Sequence, residues 1–332
     1  MKRIGVLTSG GDSPGMNAFV RAVVRRALSY GLEVFGIQHG YQGLCAGNVH
    51  VMDARSVSGI IDRAGTILET ARSQEFMTRE GYRHALRTLH EHHIEALVVL
   101  GGDGSMRGAM TLHEAGIKVV GAPGTIDNDV YGAEMSIGAD TGLNVAVDAI
   151  DMIRATASSH QRAFVIEVMG RDCGYLGLMA GLACGAEMIC IPEVPFTLQD
   201  VSDTLDAAYV RGKAHCIVVV AEGAQYDAAA IAKYLAAREA EHGFEVRATI
   251  LGHIQRGGKP TASERLLATR LGCAAVDNAM HGNSGVMVGT QGGVVISTPI
   301  PEVVSNKKLL DLSLYELVRT LENPTPAASH PA

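Results

Sequence analysis

IEALVVLGGDGSMRG, residues 94–108, opens as an apolar run and breaks at Gly101-Gly102-Asp103-Gly104-Ser105, where a helical pattern takes over. A strand that is apolar almost throughout and feeds a helix through glycines belongs to a parallel sheet covered on both faces. Similar apolar runs occur at 3–8, 33–37, 117–122, 163–169, 187–191, 215–221 and 286–289. Helical patterns fall between or after them at 15–30, 80–93, 104–115, 140–157, 174–185, 199–212, 227–242, 262–281 and 313–322. The expected fold is α/β, with mainly parallel sheets flanked by helices. A chain of 332 residues suits two lobes. The expected lobes are 1–138 with about 255–304, and 139–254 with about 305–322; the Pro- and Ala-rich tail 323–332 is expected to fray.

Composition excludes several classes. A formal net charge of −7 gives no overall attraction to nucleic acid or to an anionic membrane, so neither is expected as a partner. The six cysteines form no CxxC pair, which favours reduced core thiols in a cytoplasmic protein over zinc or redox chemistry. No apolar stretch reaches membrane-spanning length.

In parallel sheets ligands bind beyond the carboxyl ends of the strands. Four such ends carry unusual residues. TSGGDSPGMN (8–17) places Gly10, Gly11 and Pro14 at a helix start, as a plain tight turn or as backbone donors to a phosphate. In GGDGS, Asp103 either caps the helix or ligates magnesium beside backbone donors to phosphate oxygens. PGTIDND (123–129) is either a polar turn or a pair of carboxylates, Asp127 and Asp129, set beside Thr125 so that one accepts a hydroxyl proton. VMGRDCGYLG (168–177) adds Arg171. Four such turns together fit phosphoryl transfer.

With these motifs the sequence resembles the bacterial ATP-dependent 6-phosphofructokinases. The resemblance runs in order over roughly residues 1–320, through TSGGDSPGMNAFVR, GGDGS, PGTIDND, SSHQR, EVMGRDCG and LGHIQRGG. It implies two Rossmann-like three-layer lobes, one for ATP and one for sugar phosphate, in a homotetramer. It implies transfer of the ATP γ-phosphate to the 1-hydroxyl of fructose 6-phosphate, the committed step of glycolysis, with Mg2+. Asp127 matches the base, assisted by Asp129 and Thr125; Arg72 (in ETARSQEF) and Arg171 match arginines that stabilise the transferring phosphate. Gly11, Arg72, Gly102, Asp103, Gly104 and Ser105 match the nucleotide side, with Asp103 the metal-linked carboxylate. Arg162, Met169, Gly170, Arg171, Glu222, Arg247, His253 and Arg256, with Thr125 and Asp127, match the sugar-phosphate side; Arg162 and Arg247 match residues that reach a neighbouring subunit's site. The residue types suit the task, since a phosphate dianion selects several Arg and His donors.

Pyrophosphate-dependent relatives carry Asp and Lys where this chain has Gly104 and Gly124, so the resemblance implies ATP. Near the expected nucleotide pocket stand Met77 and Arg107; Arg107 either covers the nucleotide or points into solvent. Arg21, Arg25, Arg154, Arg211 and Lys213, with Glu187, match an effector site for ADP or phosphoenolpyruvate. Arg21 and Arg25, one helical turn apart, also read as a solvated basic stripe. Ala54 and Gly59 replace side chains the family often supplies there. GGDG also occurs in NAD kinases and diacylglycerol-kinase-like enzymes, which lack PGTIDND and HIQRGG. A retired kinase acting as a sensor would have lost Asp103, Asp127 or Arg72, and a dehydrogenase would carry a dinucleotide fingerprint.

Overall fold

A computed structural model describes residues 1–322; the tail 323–332, and the expectation that it frays, lie outside the described residues. The strands are β1 (Arg3–Ser9), β2 (Glu33–Ile37), β3 (Val49–Met52), β4 (Ala96–Gly101), β5 (Lys118–Thr125), β6 (Ile137–Gly138), β7 (Arg162–Val168), β8 (Met188–Cys190), β9 (Cys216–Ala221), β10 (Glu245–Ile250), β11 (Val286–Gln291) and β12 (Val294–Pro299). The helices are α1 (Met16–Ser29), α2 (Gly40–Ala46), α3 (Arg79–Glu91), α4 (Asp103–Glu114), α5 (Ala139–His160), α6 (Tyr175–Cys184), α7 (Leu198–Val210), α8 (Ala228–Ala236), α9 (Glu239–His242), α10 (Ala262–Met280), α11 (Ile300–Ser305) and α12 (Ser313–Glu322). The described residues divide into two compact units, 1–142 with 256–308, and 143–255 with 309–322.

The first unit holds a sheet in the order β12-β11-β5-β4-β1-β2-β3, with β6 beside the end of β5. Along β4 the pleat decides the packing. Ala96, Val98 and Leu100 join Phe19 and Val23 of α1 and Leu271 and Ala275 of α10 in one core. Leu97 and Val99 join Leu89 of α3, Leu112 of α4 and Val303 of α11 in the other. Each fully buried aliphatic side chain contributes about 1.5–3 kcal/mol, so the apolar run of β4 stabilises both cores. The two covering helices α1 and α10 touch closely at Gly272, where a Cβ would lie 2.7 Å from the Ala22 Cβ and 2.8 Å from the Phe19 carbonyl oxygen.

The second unit holds a parallel sheet in the order β10-β7-β9-β8. One face, through Val165, Val218 and Val220, packs on Val201 and Leu205 of α7 and Ile231 and Leu235 of α8.

The structure departs from the expected elements at the margins. Two edge strands of the first sheet, β3 and β12, run antiparallel to their neighbours. β12 follows β11 through Gly292-Gly293, both at positive φ, a two-residue hairpin that brings the chain straight back. β10 was not expected because it is an edge strand with a largely exposed pattern. The helix expected over 227–242 is broken between Ala237 and Arg238. There the Arg238 guanidinium folds back over the Tyr234 ring, 3.9 Å from its centroid.

Candidate active site

In the first unit the register pairs Ser9 with Gly101 and Gly101 with Pro123, so β1, β4 and β5 end at one level. The segments TSGGDSPG, GGDGS and PGTIDND therefore leave the sheet side by side at its carboxyl edge. This is where a doubly covered parallel sheet binds ligands.

The first turn is held open by hydrogen bonds to its carbonyls. The Ser105 hydroxyl donates to Ser9 (3.1 Å), the Thr70 hydroxyl to Gly10 (2.9 Å), and the Arg256 guanidinium to Asp12 (2.6 Å). With those oxygens engaged, the turn has its N–H groups left to offer a ligand. Arg256 lies so close that a Cβ on Gly11 would fall 2.7 Å from its Nη1, so a side chain there would have to displace the guanidinium. Arg72 is exposed two residues beyond Thr70.

The second turn starts α4 at Asp103, with Gly102 extended before it. The first N–H groups of a helix have no intrahelical acceptor and carry partial positive charge, which suits a phosphate. The Asp103 carboxylate is half exposed and pairs with Arg107 one helical turn on, at 3.0 Å. A Cβ on Gly104 would meet nothing within 4 Å, whereas one on Gly124 would lie 2.8 Å from Leu100 Cδ1. A side chain at 124 would therefore press on β4, while one at 104 would enter open space. Met77 is exposed.

The third turn buries its polar groups: Thr125, Asp127 and Asn128 are all under a tenth exposed. The Asp127 N–H donates to the Thr125 hydroxyl at 3.2 Å, so Thr125 shapes the backbone that carries Asp127. Asn128 takes a left-handed conformation (φ 54°), which Asn tolerates better than most residues. Asp129 is partly exposed.

Beneath these turns sits Glu264 of α10, fully buried and not singled out by the sequence. Its Oε1 accepts from the Gly138 N–H (2.8 Å), and its Oε2 from the Thr141 N–H and hydroxyl (both 3.1 Å). The Ser13 hydroxyl donates to Ile137 (2.9 Å), tying the first turn to the same β6–α5 segment. Burial outweighs the three hydrogen bonds and, with Asp140 adding repulsion, pushes the Glu264 carboxyl up to about 7.

In the second unit the Glu222 carboxylate accepts from the Gly170 and Arg171 N–H groups (3.3 and 2.7 Å). It thereby fixes the turn that presents the Arg171 side chain; Met169 just before it is buried. Arg162 on β7 faces Glu245 on β10 in register and pairs with it at 2.5 Å, holding that carboxyl below its usual range. Arg247 pairs with the same carboxylate. His253 is exposed in the short helical turn 252–256.

The six expected effector residues are divided between the units. Arg21 and Arg25 lie on α1 of the first. Arg154, Glu187, Arg211 and Lys213 belong to the second. There Glu187 accepts from Lys213 (2.9 Å) and from the Ile217 N–H (2.6 Å), and Arg154 pairs with Asp151 (3.5 Å).

Residues 3–279 match the family described as phosphofructokinase. The chain belongs to the phosphofructokinase family. It is accordingly a kinase, an enzyme of the phosphotransferase class. A relative from Brevibacillus brevis named ATP-dependent 6-phosphofructokinase is 51% identical over 321 residues, 97% of this chain and 99% of the relative. ATP-dependent 6-phosphofructokinase 1 of Thermus thermophilus is 53% identical over 322 residues, with the same coverage. The phosphofructokinase structure from Saccharomyces cerevisiae superposes with a TM-score of 0.85 at 38% identity, over 97% of this chain and 47% of that one. A pyrophosphate-dependent phosphofructokinase from Marinobacter aquaeolei shares the fold, with a TM-score of 0.83 at 22% identity over 94% of this chain and 86% of its own.

Proposed function

We propose that this chain transfers the γ-phosphoryl group of ATP to the 1-hydroxyl of fructose 6-phosphate, giving fructose 1,6-bisphosphate and ADP. The observation that carries the reading is the common level of Ser9, Gly101 and Pro123, which sets the glycine turn, the start of α4 and the Asp127 loop side by side. Relatives about half identical over nearly the whole chain and named ATP-dependent 6-phosphofructokinase support it.

On this reading Asp127 accepts the proton of the attacking hydroxyl, on a backbone shaped by Thr125 and flanked by Asp129. The N–H groups at Gly11 and at the start of α4 (Gly102, Gly104, Ser105) hold phosphate oxygens. Arg72 and Arg171 neutralise charge on the transferring group. Asp103 would hold Mg2+, which would supply positive charge to offset that of the phosphate groups. The donor set fits that ion. Among the described residues no cluster of three or more His, Cys, Asp or Glu could cage a metal. Magnesium typically takes one or two carboxylates and draws its other ligands from water and substrate phosphates. Asp103 is half exposed, and its pairing with Arg107 is a surface ion pair, which costs little to exchange. Arg162, Arg247, His253 and Arg256, with Met169, Gly170 and Glu222, serve the sugar phosphate.

The same reading makes the enzyme cytoplasmic, at the committed step of glycolysis, and active as a homotetramer in which Arg162 and Arg247 serve a neighbouring subunit's site. Among the described residues no helix is long and apolar enough to cross a membrane. Full specific activity in a species that sediments as a monomer would contradict the assembly. An ADP or phosphoenolpyruvate response, bound by Arg21, Arg25, Arg154, Glu187, Arg211 and Lys213, should vanish when Arg21→Ala and Arg25→Ala are combined; an identical response in that variant removes the site. The central test is Asp127→Ser. It should lower kcat by several powers of ten while fructose 6-phosphate still binds, and near-normal turnover would sink the assignment.

A further inference from the structure

The loop between β5 and β6 carries Asp127 and is closed by partners that reach Asn128 from outside the matched motifs. Asn128 Oδ1 accepts from the Ser136 N–H at 2.9 Å, and its Nδ2 donates to the Glu134 carbonyl at 3.4 Å. A third partner arrives from far along the chain. The Lys308 ammonium, in the segment after α11, donates to Asn128 Oδ1 at 2.9 Å and to the Glu134 carbonyl at 2.7 Å. One cation thus ties both arms of the loop together, 180 and 174 residues from its two acceptors.

Asn128 is the residue between Asp127 and Asp129, and its left-handed backbone sets how the chain turns between the two carboxylates. That conformation is uncommon outside glycine and persists where surrounding contacts enforce it. Hydrogen bonds from an ionised donor are about twice as strong as neutral ones. Without Lys308 the Asn128 carbonyl keeps only the Ser136 N–H of these two donors, and the Glu134 carbonyl keeps only the longer 3.4 Å bond.

We infer that Lys308 is a positioning residue for phosphoryl transfer, acting through Asn128 and Glu134 on the geometry of the Asp127 loop. The inference rests on the reading of Asp127 as the base. Lys308 also stands at the end of the first unit, where the chain leaves for the second. The last residue of the returning segment is therefore anchored on the reacting loop itself.

The variants are Lys308→Met, which keeps the aliphatic stem, Lys308→Arg, which keeps the charge, and Asn128→Gly, which keeps access to the left-handed backbone while removing the amide. Misplacement of a reacting group by about 1 Å costs up to about a hundredfold in rate. Lys308→Met is expected to lower kcat roughly ten- to hundredfold, with KM for both substrates within about threefold of wild type; Lys308→Arg should recover most of the loss. Combining Lys308→Met with Asn128→Gly should cost less than the product of the two single losses, because the Lys308–Asn128 contact is common to both. A loss in kcat below about fivefold, or multiplicative effects in the double variant, overturns the inference. If Lys308→Met fails to fold, Lys308→Arg and Asn128→Gly decide: a kcat loss in Asn128→Gly below about fivefold, with Lys308 intact, overturns it equally. Asp127→Ser is assayed in parallel. Normal turnover there fails the base assignment, whereas normal turnover in Lys308→Met beside an inactive Asp127→Ser fails this inference alone.

Discussion

Glu264 makes the stability of the first unit depend on pH in a direction opposite to that of most carboxylates. Its ordinary value is 4.5, and burial pushes it up to about 7 in the folded protein. Between those values the folded state holds a proton that the unfolded chain has released. Stability from this group is therefore complete below pH 4.5 and is lost as the pH rises through 7. The displacement corresponds to about 3 kcal/mol, at about 1.36 kcal/mol for each pH unit. Glu264→Gln removes the titration and substitutes a constant cost, since an amide offers one acceptor oxygen to three donors. The comparison cancels carboxylates that act in the other sense in both proteins, such as Asp62 beside Lys259 and Asp200 beside Thr197, whose values are lowered. The assay is the difference in Tm between wild type and Glu264→Gln, followed from about pH 5 to pH 8. For a unit of this size 1 kcal/mol moves Tm by about 2–4 °C. The wild type should lose about 6–12 °C relative to the variant across that range. Parallel curves would refute the reasoning, because they would mean that the carboxyl ionises as freely in the fold as in the unfolded chain.

Two further outcomes follow from the glycines. Gly104→Asp should fold normally, because its side chain enters open space and an acid suits the first turn of α4. Its charge beside Asp103 should lower kcat/KM for ATP by about tenfold or more, with KM for fructose 6-phosphate within about twofold; unchanged ATP kinetics would reject the role of that position in donor choice. Gly272→Val must force α1 and α10 apart, at a cost of about 1–3 kcal/mol, so calorimetry should show Tm lowered by several degrees, and an unchanged Tm would contradict the close contact.

The interior strands were legible because burial on both faces leaves an unbroken apolar run, as β4 and β9 show. The edges were not, because β3 and β10 have exposed residues and no such run. The β11–β12 hairpin had a readable signal in Gly292-Gly293, the two-residue link that tight hairpins favour. At the site, the three turns could be found from glycines and carboxylates placed where apolar runs stop. Glu264 and Lys308 could not. Their partners are more than a hundred residues away, and each alone reads as an ordinary surface charge.

The first unit is assembled from two stretches, with nearly all of the second unit encoded between them. On a ribosome, α1 emerges with Phe19 and Val23 lacking Leu271 and Ala275, the α10 residues that complete their core. Those partners are synthesised only after residues 143–255 have been made. Domains generally fold as units during synthesis, so the interposed sheet β10-β7-β9-β8 has its strands complete first. The half-built amino-terminal sheet waits with an apolar face uncovered until α10 has been made, and transiently exposed apolar surface of that kind is what makes a partly folded chain prone to aggregate.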